Sequence, residues 1–297
     1  MTGAERGFLL LSGSLGDPQR HPLSVSQLRI LGSRAQTMAA PGADRDLTIP
    51  DLMAIGYGED MAARILALLE QEDVLDFYLR KGEKAGCIPL TRVSSGYPGQ
   101  LRNKLGLESP GCLWAKGNPE FLKMPMISLV GSREILSGNR AFAWEVGAQA
   151  ARQGFVLVSG NARGADRIAQ SACLQNGGSV ISVVADALKD KTPDDRILYL
   201  SEEDFDAEFS AQRALSRNRV IHALGEKTFV AQSDLRKGGS WDGTVKNLRF
   251  GWSDVFCFDD GSAAAEELFQ MGAERISAKD LRDIRSLQPE TMNFFDQ

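Results

Sequence analysis

Downstream of Pro125 two kinds of hydrophobic pattern alternate. Short apolar and β-branched runs occur at Met126–Val130, Phe155–Val158, Ser179–Val184, Thr228–Ala231 and Val255–Phe258. Between and after them lie longer segments with helical spacing, at Asn139–Gln153, Ala165–Asn176, Gln212–Leu224, Thr244–Phe250 and Ala263–Met271. Continuous apolar runs suit strands buried on both faces, and strand–helix alternation predicts a parallel sheet covered by helices. The expectation is an α/β, doubly wound, mostly parallel sheet over residues 124–290.

Upstream the pattern is helical. Val25, Leu28 and Leu31 place one amphipathic helix in Ser24–Met38. Residues 39–45, with Pro41 and Gly42, read as a loop. Thr48 opens a second helix with Pro50 in its first turn, and Met61–Leu69 and Val74–Lys84 complete a small module. Ile88–Thr91 and Cys112–Ala115 read as strands, with a break at Tyr97-Pro98 between them. The predicted division is a helical module over 1–85, a connecting segment over 86–123, the α/β domain over 124–290 and a tail at 291–297. Within the module, Ile55-Gly56-Tyr57-Gly58-Glu59-Asp60-Met61-Ala62 fits a helix-hairpin-helix turn. Glu59 and Asp60 would repel a phosphate at the second helix start, so a packing hairpin is expected.

Composition narrows the classes. The chain has 297 residues, 43% hydrophobic and 25% charged, which is ordinary for globular domains. No apolar run approaches the roughly 20 residues that a membrane helix needs. The four cysteines are scattered without a C-x-x-C, and with two histidines they do not suggest a zinc site. A cytoplasmic protein with reduced thiols and no cofactor or metal is expected. The net charge is −5. Residues 259–297 carry nine acidic and four basic side chains, so the whole excess sits in that tail and the rest of the chain is balanced. Any surface for a polyanion must then be local. The acidic run Glu202–Glu208 reads as a solvated loop or helix start.

Four strand ends carry candidate chemistry, because open α/β sheets bind ligands where strands end and helices begin. The first is Gly131-Ser132-Arg133, where a glycine permits close approach, a serine offers a hydroxyl and an arginine can fork onto phosphate. The second is Ser159-Gly160-Asn161-Ala162-Arg163-Gly164-Ala165-Asp166, a glycine-rich turn into a helix, with Asp166 placed to cap N–H groups and orient Arg163. It is neither a dinucleotide G-x-G-x-x-G fingerprint nor a P-loop. The third is Arg217-Asn218-Arg219; its arginines are two apart, so one reaches a ligand while the other holds structure. The fourth is Lys237-Gly238-Gly239-Ser240-Trp241, where Trp241 is either a stacking ring or a core side chain. Together these turns form a row of anion sites, better suited to an extended phosphate backbone than to one small ligand.

In order and spacing, these blocks resemble the DprA/Smf family of DNA-processing proteins, whose wider superfamily also holds LOG-type nucleotide hydrolases. Tyr97-Pro98, Leu113-Trp114-Ala115-Lys116-Gly117-Asn118 and Leu200-Ser201-Glu202 add to the match, which covers about residues 45–260. The resemblance implies an extended Rossmann-like fold, a homodimer, and binding of single-stranded DNA without cleavage. It also implies loading of a RecA-type recombinase during natural transformation. By matching position, Gly131, Ser132, Arg133, Gly160, Arg163 and Arg217 would line a phosphate pocket; Ser159, Asn161, Gly164, Asn218, Arg219, Lys237, Gly239 and Ser240 complete the candidate set. The chain departs from the family at Gly239–Val245, at Phe258-Asp259-Asp260-Gly261, and in the acidic tail that stands where the family carries a basic winged-helix module.

Two other readings stay open. A LOG-like nucleotide-processing enzyme would need a glutamate where Asn247 stands, and a carboxamide supplies no general acid or base. A protein that senses a small nucleotide would use the same glycine-rich pockets.

Overall fold

Backbone signals at helix starts shape the N-terminal region. In this computed structural model, which describes residues 1–38 and 47–289, Thr2, Ser24 and Thr48 each close a capping box onto Glu5, Gln27 and Asp51. They start helices α1 (Gly3–Ser12), α2 (Val25–Ala35) and α3 (Ile49–Ala54). Helices α4 (Glu59–Leu69) and α5 (Glu72–Lys84) follow. The expected hairpin joins α3 to α4, and Ala62, fully buried, packs with Leu52 and Ile65 in a small separate core. Arg34 of α2 donates to the Gly56 carbonyl at 2.7 Å and lies over the Tyr57 ring, so the turn is occupied by the module itself. The loop expected at 39–45 and the tail at 291–297 lie outside the described residues.

Next come β1 (Ile88–Thr91), α6 (Gly99–Leu105), β2 (Cys112–Lys116), β3 (Met126–Val130), α7 (Ser137–Arg152), β4 (Val156–Ser159), α8 (Ala165–Gln175), β5 (Val180–Val183) and β6 (Ile197–Ser201). The chain closes with α9 (Ala211–Ser216), α10 (Asn218–Leu224), β7 (Lys227–Val230), α11 (Gly238–Phe250), β8 (Asp254–Phe258), α12 (Ala263–Gln270) and β9 (Glu274–Ile276). The strands form one sheet in the order β1-β2-β6-β5-β4-β3-β7-β8-β9. β1–β2 and β2–β6 are antiparallel and every other pair is parallel. This is the doubly wound α/β fold expected.

The winding direction creates the crevice. From β3 the chain steps outward through β4, β5 and β6, then returns to the opposite side of β3 as β7 and continues to β8 and β9. Loops leaving β3 and β7 therefore turn away from each other at the C-terminal edge, which is where such sheets bind ligands. Strands β3, β4, β5 and β7 are buried at every position, as runs dominated by apolar and β-branched residues suit. Helices α7 and α8 cover one face through Phe142, Val146 and Ala169. The other face is covered by α6, α10, α11 and α12, through Leu101, Val220, Trp241 and Leu268. Trp241 is thus a core side chain and offers no stacking face.

The structure differs from the sequence reading in several elements. The single helix expected over Gln212–Leu224 is two, α9 and α10, broken at Arg217, whose side chain turns inward. Helices α1 and α6 and strands β6 and β9 have no counterpart in the sequence pattern; α6 is short and mostly polar, β9 has three residues, and β6 is buried at only three of five positions. The acidic run is a clamp rather than a solvated loop. Asp206 accepts from the Tyr78 hydroxyl at 2.9 Å and from Lys81 at 2.6 Å, while Asp204 accepts from the Ser14 hydroxyl and the Gly16 N–H. Between these contacts Phe205, fully buried, packs against Tyr78 and Trp114 with centroid separations of 4.8 Å each.

Phe205 therefore fastens the N-terminal module to the sheet. Phe205→Ala should cost about 3–5 kcal/mol, read as a lower urea midpoint. A loss below about 1 kcal/mol would show that the site collapses around the smaller side chain.

Candidate functional site

Hydrogen bonds to the backbone, from side chains and from other backbone groups, lace the loops at the C-terminal edge together. The Ser132 N–H donates to the Gln232 carbonyl at 3.0 Å, joining the β3 and β7 loops. The Gln232 side chain accepts from the Leu136 N–H at 2.9 Å and donates to the Glu134 carbonyl at 3.0 Å. Asn139 of α7 donates to the Ala231 carbonyl at 2.9 Å. The β4 loop lies against the same frame, since the Ala165 N–H donates to the Ser132 carbonyl at 3.2 Å. Gly164 makes that approach possible: its φ is +89°, and a Cβ there would fall 2.4 Å from the Ser132 carbonyl oxygen.

Arg217, at the break between α9 and α10, ties in the third side. Its residue exposure is 6%, and Nη2 donates to the Gly160 carbonyl at 2.9 Å. A Cβ on Gly160 would sit 1.8 Å from Nη1, so the guanidinium can cross only because position 160 is glycine. Asp166, in the first turn of α8, is equally buried and accepts from the Ala162 N–H at 3.1 Å; it caps as expected but does not orient Arg163, which points outward to Glu134. Burial raises the Asp166 carboxyl above its ordinary value, against the opposing pull of Arg217 and two backbone N–H groups. Burial likewise lowers Arg217, against the pull of Asp166. Asn218 donates to the Gly239 carbonyl at 3.0 Å and fixes the start of α11.

Above this frame lies a groove made of two adjoining clefts of about 780 and 350 Å³. Arg133, Arg163 and Arg217 line both. Gly131, Ser132, Asn218, Lys237, Gly239 and Ser240 line the larger, and Gly160 and Asn161 the smaller. Thirteen of the fifteen residues singled out from sequence either line the groove or, as with Gly164, set the loops that do; Asp166 borders the larger cleft. The other two stand apart. Ser159 is fully buried and accepts from Gln170 at 2.7 Å inside the domain. Arg219 pairs with Glu202 at 2.6 Å and donates to the Glu108 carbonyl and to Ser216, so both arginines of the third block bond protein groups and only Arg217 also lines the groove.

The balance of charge favours an anion. Arg133, Arg167 and Lys237 are exposed and make no ion pair with a described carboxylate. Arg163 meets Glu134 at 3.3 Å, but both side chains are largely exposed, and such pairs contribute little. Lys191 is paired with Asp186 at 2.5 Å. The sequence reading missed Arg167, Lys191 and Phe209. Arg167 directly follows the second block and could have been found by continuing it one residue; nothing local marked the other two. Phe209 is 58% exposed at the rim of the smaller cleft. An adjoining cleft of about 790 Å³, which shares Phe209 with the smaller groove cleft, is lined by Glu203, Asp204, Asp206 and Glu208 as well as Arg213, and its excess of carboxylates disfavours anions there. Among the described residues no cluster of histidine, cysteine and carboxylate groups could hold a metal ion, and all four cysteines are free thiols.

A sequence model of the family described as DNA recombination-mediator protein A matches residues 89–285, the span that contains this whole groove. The chain belongs to this DprA family. DNA processing protein DprA of Streptococcus pneumoniae is 32% identical over 186 residues, 58% of this chain and 65% of that protein. The match thus spans just under two thirds of that relative. DprA of Bacillus subtilis is 28% identical over 257 residues, 79% of this chain and 84% of that protein. The X-ray structure of the S. pneumoniae protein superposes with a TM-score of 0.65 at 25% identity, covering 87% of this chain and 97% of that one. The fold is shared too by DNA processing protein A of Helicobacter pylori, with a TM-score of 0.55 at 23% identity over 66% of this chain and 94% of that one.

In this DprA-family chain one buried group beside the frame titrates. His222 is fully buried; its Nδ1 lies 3.1 Å from the Asn247 amide nitrogen and so accepts, and its Nε2 has no partner. Burial, aided by the charge of Arg217, pushes its pKa down to about 3 from 6.5. Below pH 6.5 the unfolded chain takes up a proton that the fold refuses, so the His222 contribution to stability falls with pH from 6.5 toward 3. Between pH 7 and 5 this amounts to about 2 kcal/mol. Urea unfolding at both pH values should show that extra loss in the wild type and not in His222→Gln; equal losses would contradict the assignment.

Proposed function

We propose that this protein binds single-stranded DNA along the groove, acting in DNA processing or natural transformation by protecting the strand and delivering it to a RecA-type recombinase. It works as a homodimer in the cytoplasm. The carrying observation is the convergence of Arg133, Arg163, Arg167 and Lys237 along the groove, where with Arg217 they outnumber the lining carboxylates Glu134, Asp166, Asp186 and Asp234. A row of cations several side chains long suits a repeating anion more than a single phosphate. The first turn of α11, with Gly239 and Ser240 on the cleft, adds N–H groups and the positive end of a helix.

The exposed Phe209 ring beside these cations favours unpaired bases, which present a face for stacking. A single-stranded DNA binding mode is described for the H. pylori relative, and the family name itself points to recombination. Among the described residues no helix is long and apolar enough to cross a membrane. Binding rather than catalysis is supported at position 247. Asn247 is fully buried and bonds His222 and Ser253, away from the groove, where it cannot act on a ligand.

Anisotropy titrations with labelled oligo-dT and with a duplex across a salt series test this reading. Tight binding is expected for oligo-dT alone, with log K falling against log salt by about 0.7 per phosphate contact. Arg133→Ala should weaken oligo-dT and oligo-dC alike and reduce that slope by about 0.7. Salt-independent binding, or none at low salt, would reject the proposal. Release of free base from nucleoside monophosphates would replace it with the hydrolase reading.

A further inference from the structure

The four tryptophans are unequal. Trp114, Trp241 and Trp252 are 3%, 8% and 4% exposed, whereas Trp144, in the third turn of α7, is 40% exposed. Isolated exposed apolar side chains are normal on a protein surface and need no explanation. Trp144 is not isolated. It lies in a cleft of about 520 Å³ between α7 and α8, with Arg140 one turn before it and Arg167 across from it on α8. No carboxylate lines this cleft, and neither arginine pairs with a described acidic side chain.

Arg167 makes the cleft continuous with the groove, because it also lines the smaller groove cleft with Arg133, Arg163 and Arg217. A phosphate chain leaving the groove past Arg167 enters the cleft that Arg140 and the Trp144 indole also line. Alternation of cation and aromatic ring is what a single strand requires, since its phosphates are drawn to the charges and its unpaired bases stack on the ring. On its other side Trp144 borders a hollow lined by Glu145 as well as Lys279 and Arg282, which lacks such a bias.

We propose that the α7–α8 cleft is a second subsite for single-stranded DNA, in which Trp144 stacks on an unpaired base while Arg140 and Arg167 hold the flanking phosphates. The proposal rests on the groove being a site for single-stranded DNA. It extends the path of the strand onto the outer face of the helical layer.

Trp144 is the only tryptophan exposed enough to meet DNA, so intrinsic fluorescence reports on the subsite directly. With an oligo-dT of about 16 nucleotides, wild-type emission should be quenched on binding, and the residual emission of Trp144→Phe should not. In parallel anisotropy Trp144→Ala should lose about tenfold in affinity, while Trp144→Phe stays within about twofold because a stacking ring remains. If Trp144→Ala binds the oligomer as the wild type does while Arg133→Ala does not, the subsite is overturned and the groove reading stands. If the wild type binds no oligomer, both fail. Were Trp144→Ala to halve the mass in light scattering at unchanged affinity, the cleft would be the seat of a second copy of the chain, and the proposal would again fall.

Discussion

The Arg217 guanidinium lies across Gly160, in space that exists only because that residue lacks a Cβ, and the loops of the crevice are arranged around it. Withdrawing a guanidinium from water is expensive unless a counter-charge and acceptors are supplied. Here the counter-charge is Asp166 and the acceptor is the Gly160 carbonyl. Both groups are thereby built into the frame, with the Arg217 Nε left buried and without a partner. The cations that face solvent, Arg133, Arg167 and Lys237, are left over for a ligand. The site has a fixed lower tier and an adaptable upper one, an arrangement in which the flexible side chains act from a rigid base.

That base depends in turn on the topology of the sheet. Because β7 lies beside β3 although the chain has visited three strands in between, loops distant in sequence become neighbours. Gln232 and Asn139 then hold them by their backbones, so loop position does not depend on a bound ligand. Those two side chains, together with Asn218, do for the crevice what hydrogen bonds between strands do for the sheet.

How much of this the sequence discloses varies with the physics of each part. Strands β3, β4, β5 and β7, and the middle of β8, are legible because burial on both faces favours runs rich in apolar and β-branched residues. Strand β9 is hidden because a three-residue edge strand has no such demand, and α6 because seven mostly polar residues give no periodicity. The glycine, serine and arginine clusters are legible as turns. Their convergence is not, since it follows from strand order. Arg217 and Arg219 illustrate the limit: spacing indicates that the two must differ in role, but only Glu202 on one side and Gly160 on the other decide which goes inward. Trp241 and Trp144 make the same point, since the tryptophan inside a glycine-rich block is core, and the one in an ordinary helix is exposed.

The two borders of the sheet bear on how copies of this chain can meet. One border is β1, four residues long, with Pro89 removing a donor from its row; the other is β9, three residues long and carrying Glu274 and Arg275. Short borders interrupted by proline or charge resist extension by another strand. Association through a continuous intermolecular sheet is thereby discouraged, and the helical layers and loops are the surfaces more open to assembly.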